Sequence, residues 1–183
     1  TINSFGAELA SIQGKATDTE YLWNADAKFW KRTAPVLFPF VGSLKNKEYH
    51  YEGKTYSMGQ HGFARDMEFA VDVQTATEAR FSLRSNEETK AKFPLEFILK
   101  IGYELEGKEL KVIWQVENPD TKILYFSIGG HPAFMCPVDE KGKQSEYYFK
   151  FDTDKDLTYG LVADDGQGLM GQQKDVLPVK SGY

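Results

Sequence analysis

Two of the three histidines stand where an imidazole could be aimed at a reacting group. "SIGGHPAF" sets His131 after Gly129 and Gly130 and before Pro132. "GQHGFARD" sets His61 between Gly59 and Gly62 on either side, with Phe63 and Arg65 close behind. Imidazole, with an unperturbed pKa of about 6.5, gives and recovers a proton near neutrality, so rings held this way suit acid–base chemistry. Glycine beside each ring permits unusual backbone angles and the close approach of a ligand, while Pro132 biases His131 toward an extended backbone. The competing reading, hydrogen-bonded core histidines beside β-bulges, fits the same local pattern. His50 lies between Tyr49 and Tyr51, on the opposite face of a hairpin arm, and reads as a solvated surface residue.

The elements that must position these residues follow a period of two. In "EFAVDVQ" Phe69, Val71 and Val73 alternate with Ala70, Asp72 and Gln74, and "ARFSLRS" alternates in the same way, so each predicts a half-buried strand. "ELKVIWQVEN" puts Leu110, Val112, Trp114 and Val116 on one face. A turn at Asn118-Pro119-Asp120 then leads into "KILYFSIGG" as a further strand. Hairpin turns are expected at Glu52-Gly53 and at Glu106-Gly107. The only helix candidates are "DAKFWKR" and "NEETKAKF". Regularly spaced strands with hardly any helical period predict an all-β fold, an antiparallel β-sandwich, as one domain over residues 1–183.

Several functions are excluded or set aside. Lys and Arg total 22 against 27 Asp and Glu, the net charge is -5, and the basic residues are scattered, so neither nucleic acid nor membrane is an expected partner. The single cysteine, Cys136, precludes an internal disulfide and suits a reducing, cytoplasmic setting. Its odd spacing from His131 points the two side chains to opposite faces, and Cys136 is expected to be a small core residue rather than half of a thiol dyad. No His/Cys cluster has metal-ligand spacing, so no metal is expected. "GQGLMG" matches a dinucleotide pattern at Gly166, Gly168 and Gly171, but without a βαβ unit it reads as a loop. Thr17 and Glu20 match a capping box by chance, because only "YLW" follows. The chain opens at Thr1 inside an apparent strand and ends after "VKSGY", and it is expected to be part of a longer protein, truncated at both ends.

"APVLFPFVGSLKNKEYHYEGKTYSMGQHGFARDMEF" followed by "FSIGGHPAFMCP" resembles the aldose 1-epimerase (galactose mutarotase) superfamily, in its LacX-like branch. The resemblance runs from "INSFGAELASI" and "EYLW" through "EYYFKF", and the order "LFPFVG", "QHGFAR", "GGHPAF" is specific as a set. It implies a β-supersandwich that holds a sugar on its concave face and interconverts the α and β anomers of an aldose without a cofactor. A carboxylate takes the proton of the C1 hydroxyl while a histidine protonates the ring oxygen. By this resemblance His131 matches the general acid and His61 the second active-site histidine. Arg65 matches a contact to sugar hydroxyls or, in phosphosugar relatives, to a phosphate, which a guanidinium suits. Phe134 either faces the sugar's C–H side or belongs to the core, and Phe63 is expected in the core.

Two departures stand out. The family's base is a glutamate near the C-terminus of a longer chain, and none of Asp66, Glu68, Asp139 or Glu140 stands in for it. Ser43 replaces an arginine common in relatives, with Lys45 or Asn46 as candidates to compensate. A chain complete as given would lack its base and its closing strands, leaving apolar surface and unpaired edges. The alternatives are a hexose-6-phosphate epimerase, which needs a second basic residue near Arg65 that the sequence does not display, and a non-catalytic sugar-binding module.

Overall fold

Alternating apolar and polar residues become strands where a neighbour takes up their backbone hydrogen bonds, and most of the expected alternation is realised in antiparallel pairs. The computed structural model describes residues 1–138, 142–163 and 170–179, without the side chains of 170 and 172. In chain order its strands begin with β1 (Ile2–Asn3), β2 (Glu8–Leu9), β3 (Gln13–Gly14), β4 (Thr19–Glu20), β5 (Val36–Leu37), β6 (Glu48–Tyr51) and β7 (Lys54–Ser57). They continue with β8 (Ala70–Gln74), β9 (Glu78–Arg84), β10 (Ile98–Glu106), β11 (Glu109–Glu117), β12 (Gly129–Gly130), β13 (Leu157–Val162) and β14 (Met170–Leu177). A short helix, α1 (Glu87–Lys92), joins β9 to β10.

The fold is an all-β antiparallel sandwich. β8 to β11 form a four-stranded meander in the order β11-β10-β9-β8, and β1–β2, β3–β4, β6–β7 and β13–β14 are two-stranded pairs. β5 pairs across the chain with β12, Val36 opposite Gly130 and Leu37 opposite Gly129. That pairing lays the segment after Pro35 along the approach to His131.

One face of the meander carries Phe81, Leu83, Leu99, Ile101 and Tyr103 into a core shared with Ala7, Leu22, Val36, Phe38, Phe63, Phe93 and Phe97. Phe38 is central, its ring 5.0 Å from Phe97 and 6.4 Å from Phe63 between centroids. Phe63 is therefore core, as expected. The Tyr103 hydroxyl donates to the Ala7 carbonyl at 2.7 Å, tying the meander to the turn between β1 and β2.

"NEETKAKF" is helical because Asn86 caps it: its side chain accepts the Thr89 N–H at 2.9 Å, and the Thr89 hydroxyl accepts the Asn86 N–H at 2.8 Å. "DAKFWKR" is not a helix. Phe29 and Trp30 both donate to the Asp26 carbonyl, and the Trp30 carbonyl goes to the Trp23 indole at 2.6 Å, which ends the turn. The first hairpin turns at Glu52-Gly53, as expected, with both φ positive. In the second, Glu106 pairs with Glu109, so the loop is Gly107-Lys108, one residue later than the sequence suggested, because the left-handed φ of Gly107 occupies the first loop position.

Two burial expectations and one strand expectation are also corrected. In β8 a bulge at Asp72 sets Val71 opposite Phe81 but Val73 opposite Arg80, so the two valines do not share one buried face, and they are 50% and 37% exposed. In "KILYFSIGG" only β12 forms a ladder; 122–128 belongs to no strand, and within it Ser127 donates to the Pro39 carbonyl at 2.8 Å. Cys136 is exposed, not core, because 133–135 takes its backbone bonds from 21–23 and leaves the next residue outside. No helix starts at Thr17: Glu20 lies in β4, where its carboxylate accepts the Ser11 hydroxyl at 2.6 Å and the Ile12 N–H at 2.8 Å. Gly166 and Gly168 lie outside the described residues, and Gly171 is in β14.

Candidate functional site

His131 follows β12 directly. Its N–H donates to the Pro35 carbonyl at 3.2 Å, and the Ala133 N–H donates to the Thr33 carbonyl at 2.8 Å, so the backbone from 129 to 133 is laced to 33–37. Its ring lies against Trp30, 5.1 Å between centroids. A Cβ on Gly130 would come within 2.6 Å of the Trp114 indole, so that side chain would have to shift. The glycine before His131 thus admits the protein's own tryptophan.

His61 is pinned from both of its polar ends. Its N–H donates to the Gly42 carbonyl at 2.8 Å, and its Nδ1 accepts the Gly42 N–H at 2.9 Å, which places the ring proton on Nε2. The residue has φ +64, a left-handed conformation that this paired contact holds. Gly62 follows with φ +75, and a Cβ on it would meet the Phe38 carbonyl oxygen at 2.2 Å. That oxygen accepts the N–H groups of Phe63 and Ala64 at 3.0 and 3.1 Å. The loop is thereby anchored on the core's central residue.

These two anchors bring the imidazoles together, 6.3 Å between centroids and 62° between planes. Burial, then the charges of Arg65 and His131, push the His61 pKa below its ordinary value, so the ring favours its neutral form. Arg65 lies in a single 3₁₀ turn, Ala64–Asp66, and its Nη2 donates to the Gln60 carbonyl at 2.9 Å. Its Nε is buried without a hydrogen-bond partner, 3.6 Å from Asp66 Oδ2.

Sequence reasoning missed three neighbours. Trp30 and Arg32 lie in the stretch read as a helix, and Glu8 in "GAELA" carried no chemical signal of its own. Arg32 donates from Nη1 to the Arg65 carbonyl at 3.3 Å, lies 3.7 Å from Glu8 Oε2, and pairs with Asp66 through Nη2. It is the second basic residue near Arg65 that the sequence did not display, and two carboxylates attend it. Glu8, 8% exposed, accepts the N–H groups of Thr33 and Ala34 at 2.7 and 2.9 Å.

The remaining candidates are exposed. Asn46, φ +56, is exposed in a 3₁₀ turn, and Phe134 is 57% exposed on a bridge to Leu22. Among the described residues no hydrogen bond or ring contact joins either side chain to His61, His131 or Arg65. Ser43 adjoins Gly42, the residue that holds His61. Asp66 is occupied by Arg32, Glu68 forms a backbone bridge with Phe5, and Asp139 and Glu140 lie outside the described residues. Among the described residues no three His, Cys, Asp or Glu side chains gather as a metal site would require, and no helix is long and apolar enough to cross a membrane.

The antiparallel β-sandwich thus carries two imidazoles 6.3 Å apart beside an arginine–carboxylate network. The comparisons define its class. A model of the aldose 1-epimerase family matches residues 1–176. The chromosomal protein LacX of Lactococcus lactis subsp. lactis is 36% identical over 154 residues, which cover 81% of this chain and 51% of that protein. The chain thus spans about half the length of the curated relatives it matches. A galactose mutarotase related enzyme from Lactobacillus acidophilus superposes with a TM-score of 0.91 at 36% identity, covering 97% of this chain and 59% of that one. A galactose mutarotase-like protein from Lactobacillus casei ATCC 334 gives 0.70 at 44% identity, over 73% of this chain and 45% of that one. The chain belongs to the aldose 1-epimerase family, a family of isomerases.

Proposed function

We propose that the protein interconverts the α and β anomers of a hexose, with His131 as the general acid at the ring oxygen and His61 as a fixed hydrogen-bond donor beside it. The observation that carries this reading is the convergence of the two imidazoles from loops 70 residues apart in sequence (131 − 61 = 70). Their division of labour follows from their contacts. Nδ1 of His61 is committed to the Gly42 N–H, so a second ring proton would cost that bond, and the ring serves best as a neutral Nε2–H donor. The His131 ring makes no hydrogen bond among the described residues, which leaves it free to pass a proton.

In the forward step a base takes the proton of the C1 hydroxyl, the C1–ring oxygen bond breaks, and that oxygen receives the proton of His131. Rotation about C1–C2 and the reverse step give the other anomer. The family resemblance implies a glutamate base, and with Glu8 and Asp66 engaged by Arg32 we assign that role to a carboxylate outside the described residues. Arg32 beside Arg65 lends some support to a hexose 6-phosphate, but its two carboxylate partners offset its charge, and the free hexose is the primary reading.

Anomer exchange followed by proton NMR, with glucose, galactose and glucose 6-phosphate, tests the reading on this chain and on a form extended to its relatives' length. Accelerated exchange that falls about 10²- to 10⁴-fold in His131→Asn is the expected result. Sugar binding without acceleration in the extended form would identify a binding module instead.

A further inference from the structure

We infer that Glu8 is a positioning residue that holds the two histidines in register, acting through the segment 32–35; the assignment deepens the acid–base reading above and rests on it. Glu8 lies on β2, far from either imidazole in sequence, and it is buried against Thr33 and Ala34. Oε1 accepts the N–H groups of Thr33 and Ala34, and the Thr33 hydroxyl sits 3.1 Å away, but its one proton goes to the nearer Leu9 carbonyl at 2.6 Å. Oε2 faces the Arg32 guanidinium at 3.7 Å.

From the held segment two sets of bonds run outward. The carbonyls of Thr33 and Pro35 take the N–H groups of Ala133 and His131. Arg32 takes the Arg65 carbonyl and the Asp66 carboxylate, and Arg65 in turn takes the carbonyl of Gln60, the neighbour of His61. The carboxylate therefore bonds at one remove to the His131 segment, and it reaches the His61 segment through its ion pair with Arg32 and then through Arg65. A charged acceptor strengthens each bond about twofold over a neutral one, which accounts for glutamate at a buried position.

Amide hydrogen exchange by NMR on this chain, with Glu8→Ala and Glu8→Gln, tests the assignment without requiring turnover. Its failure is therefore read separately from that of the anomer assay. In Glu8→Ala the amides of His131 and Ala133 should exchange about 10- to 100-fold faster, while those of Leu99 and Ile101 in β10 keep their rates. The ring-to-ring NOE between His61 and His131 should disappear. Glu8→Gln keeps an oxygen acceptor, so it should retain the NOE and show a selective acceleration of about 3- to 10-fold. Unchanged His131 and Ala133 exchange in either variant, or an equal acceleration in β10, overturns the assignment. If Glu8→Ala does not fold, Glu8→Gln decides by the same criterion.

Discussion

Gly62→Ala should destabilise the protein by about 2–5 kcal/mol, for two reasons that can be separated. The first is conformational: Gly62 has φ +75, where an L side chain costs about 1–2 kcal/mol. The second is spatial. A Cβ would stand 2.2 Å from the Phe38 carbonyl oxygen, 2.4 Å from its carbon and 2.7 Å from Pro39 N, all backbone atoms of a fully buried stretch that cannot swing aside. Forcing such a contact adds about 1–3 kcal/mol. Two controls isolate the terms. Gly53 also has φ +75 but open space around it, so Gly53→Ala should cost only the conformational part, about 1–2 kcal/mol. Gly59 has neither constraint, and Gly59→Ala should be neutral or stabilising by about 0.4–1 kcal/mol. Urea midpoints at unchanged m-value measure all three. A Gly62→Ala protein no less stable than Gly53→Ala would refute the close approach of Phe38 and, with it, the account of how the His61 loop is seated.

Two further outcomes follow from the same contacts. Tyr103→Phe should cost about 1–3 kcal/mol in urea unfolding, because it leaves the Ala7 carbonyl buried and unpaired while changing no apolar packing. For His61, whose folded pKa lies below the unfolded value of about 6.5, the stability it contributes is complete above that pH and declines as pH falls through it toward the folded value. His61→Gln should flatten the part of the stability loss that sets in as pH falls below about 6.5, and an unchanged slope in urea midpoints there would remove His61 from the acid sensitivity.

Local features were legible in the residues themselves. Alternation predicts β9 and β11, the stretch "NEETKAKF" predicts α1, and Glu52-Gly53 predicts its hairpin, because each depends on neighbours a few positions away. The setting of the histidines was visible through their glycines, though those glycines admit Phe38 and Trp114 rather than a ligand. "DAKFWKR" misled because the bond that ends its turn comes from Trp23, outside the window that a helical pattern samples.

By itself, then, the sequence determined an all-β chain and two rigid imidazole settings, since backbone preference and side-chain period act within a single segment. Tertiary structure alone decided that the two imidazoles come together, that Arg32 joins Arg65, that Glu8 holds Thr33 and Ala34, and that Cys136 is exposed. Each of those depends on which strands cross and in what register, and a contact such as Val36 opposite Gly130 is set by the packing of the whole core around Phe38 rather than by the residues on either side of it.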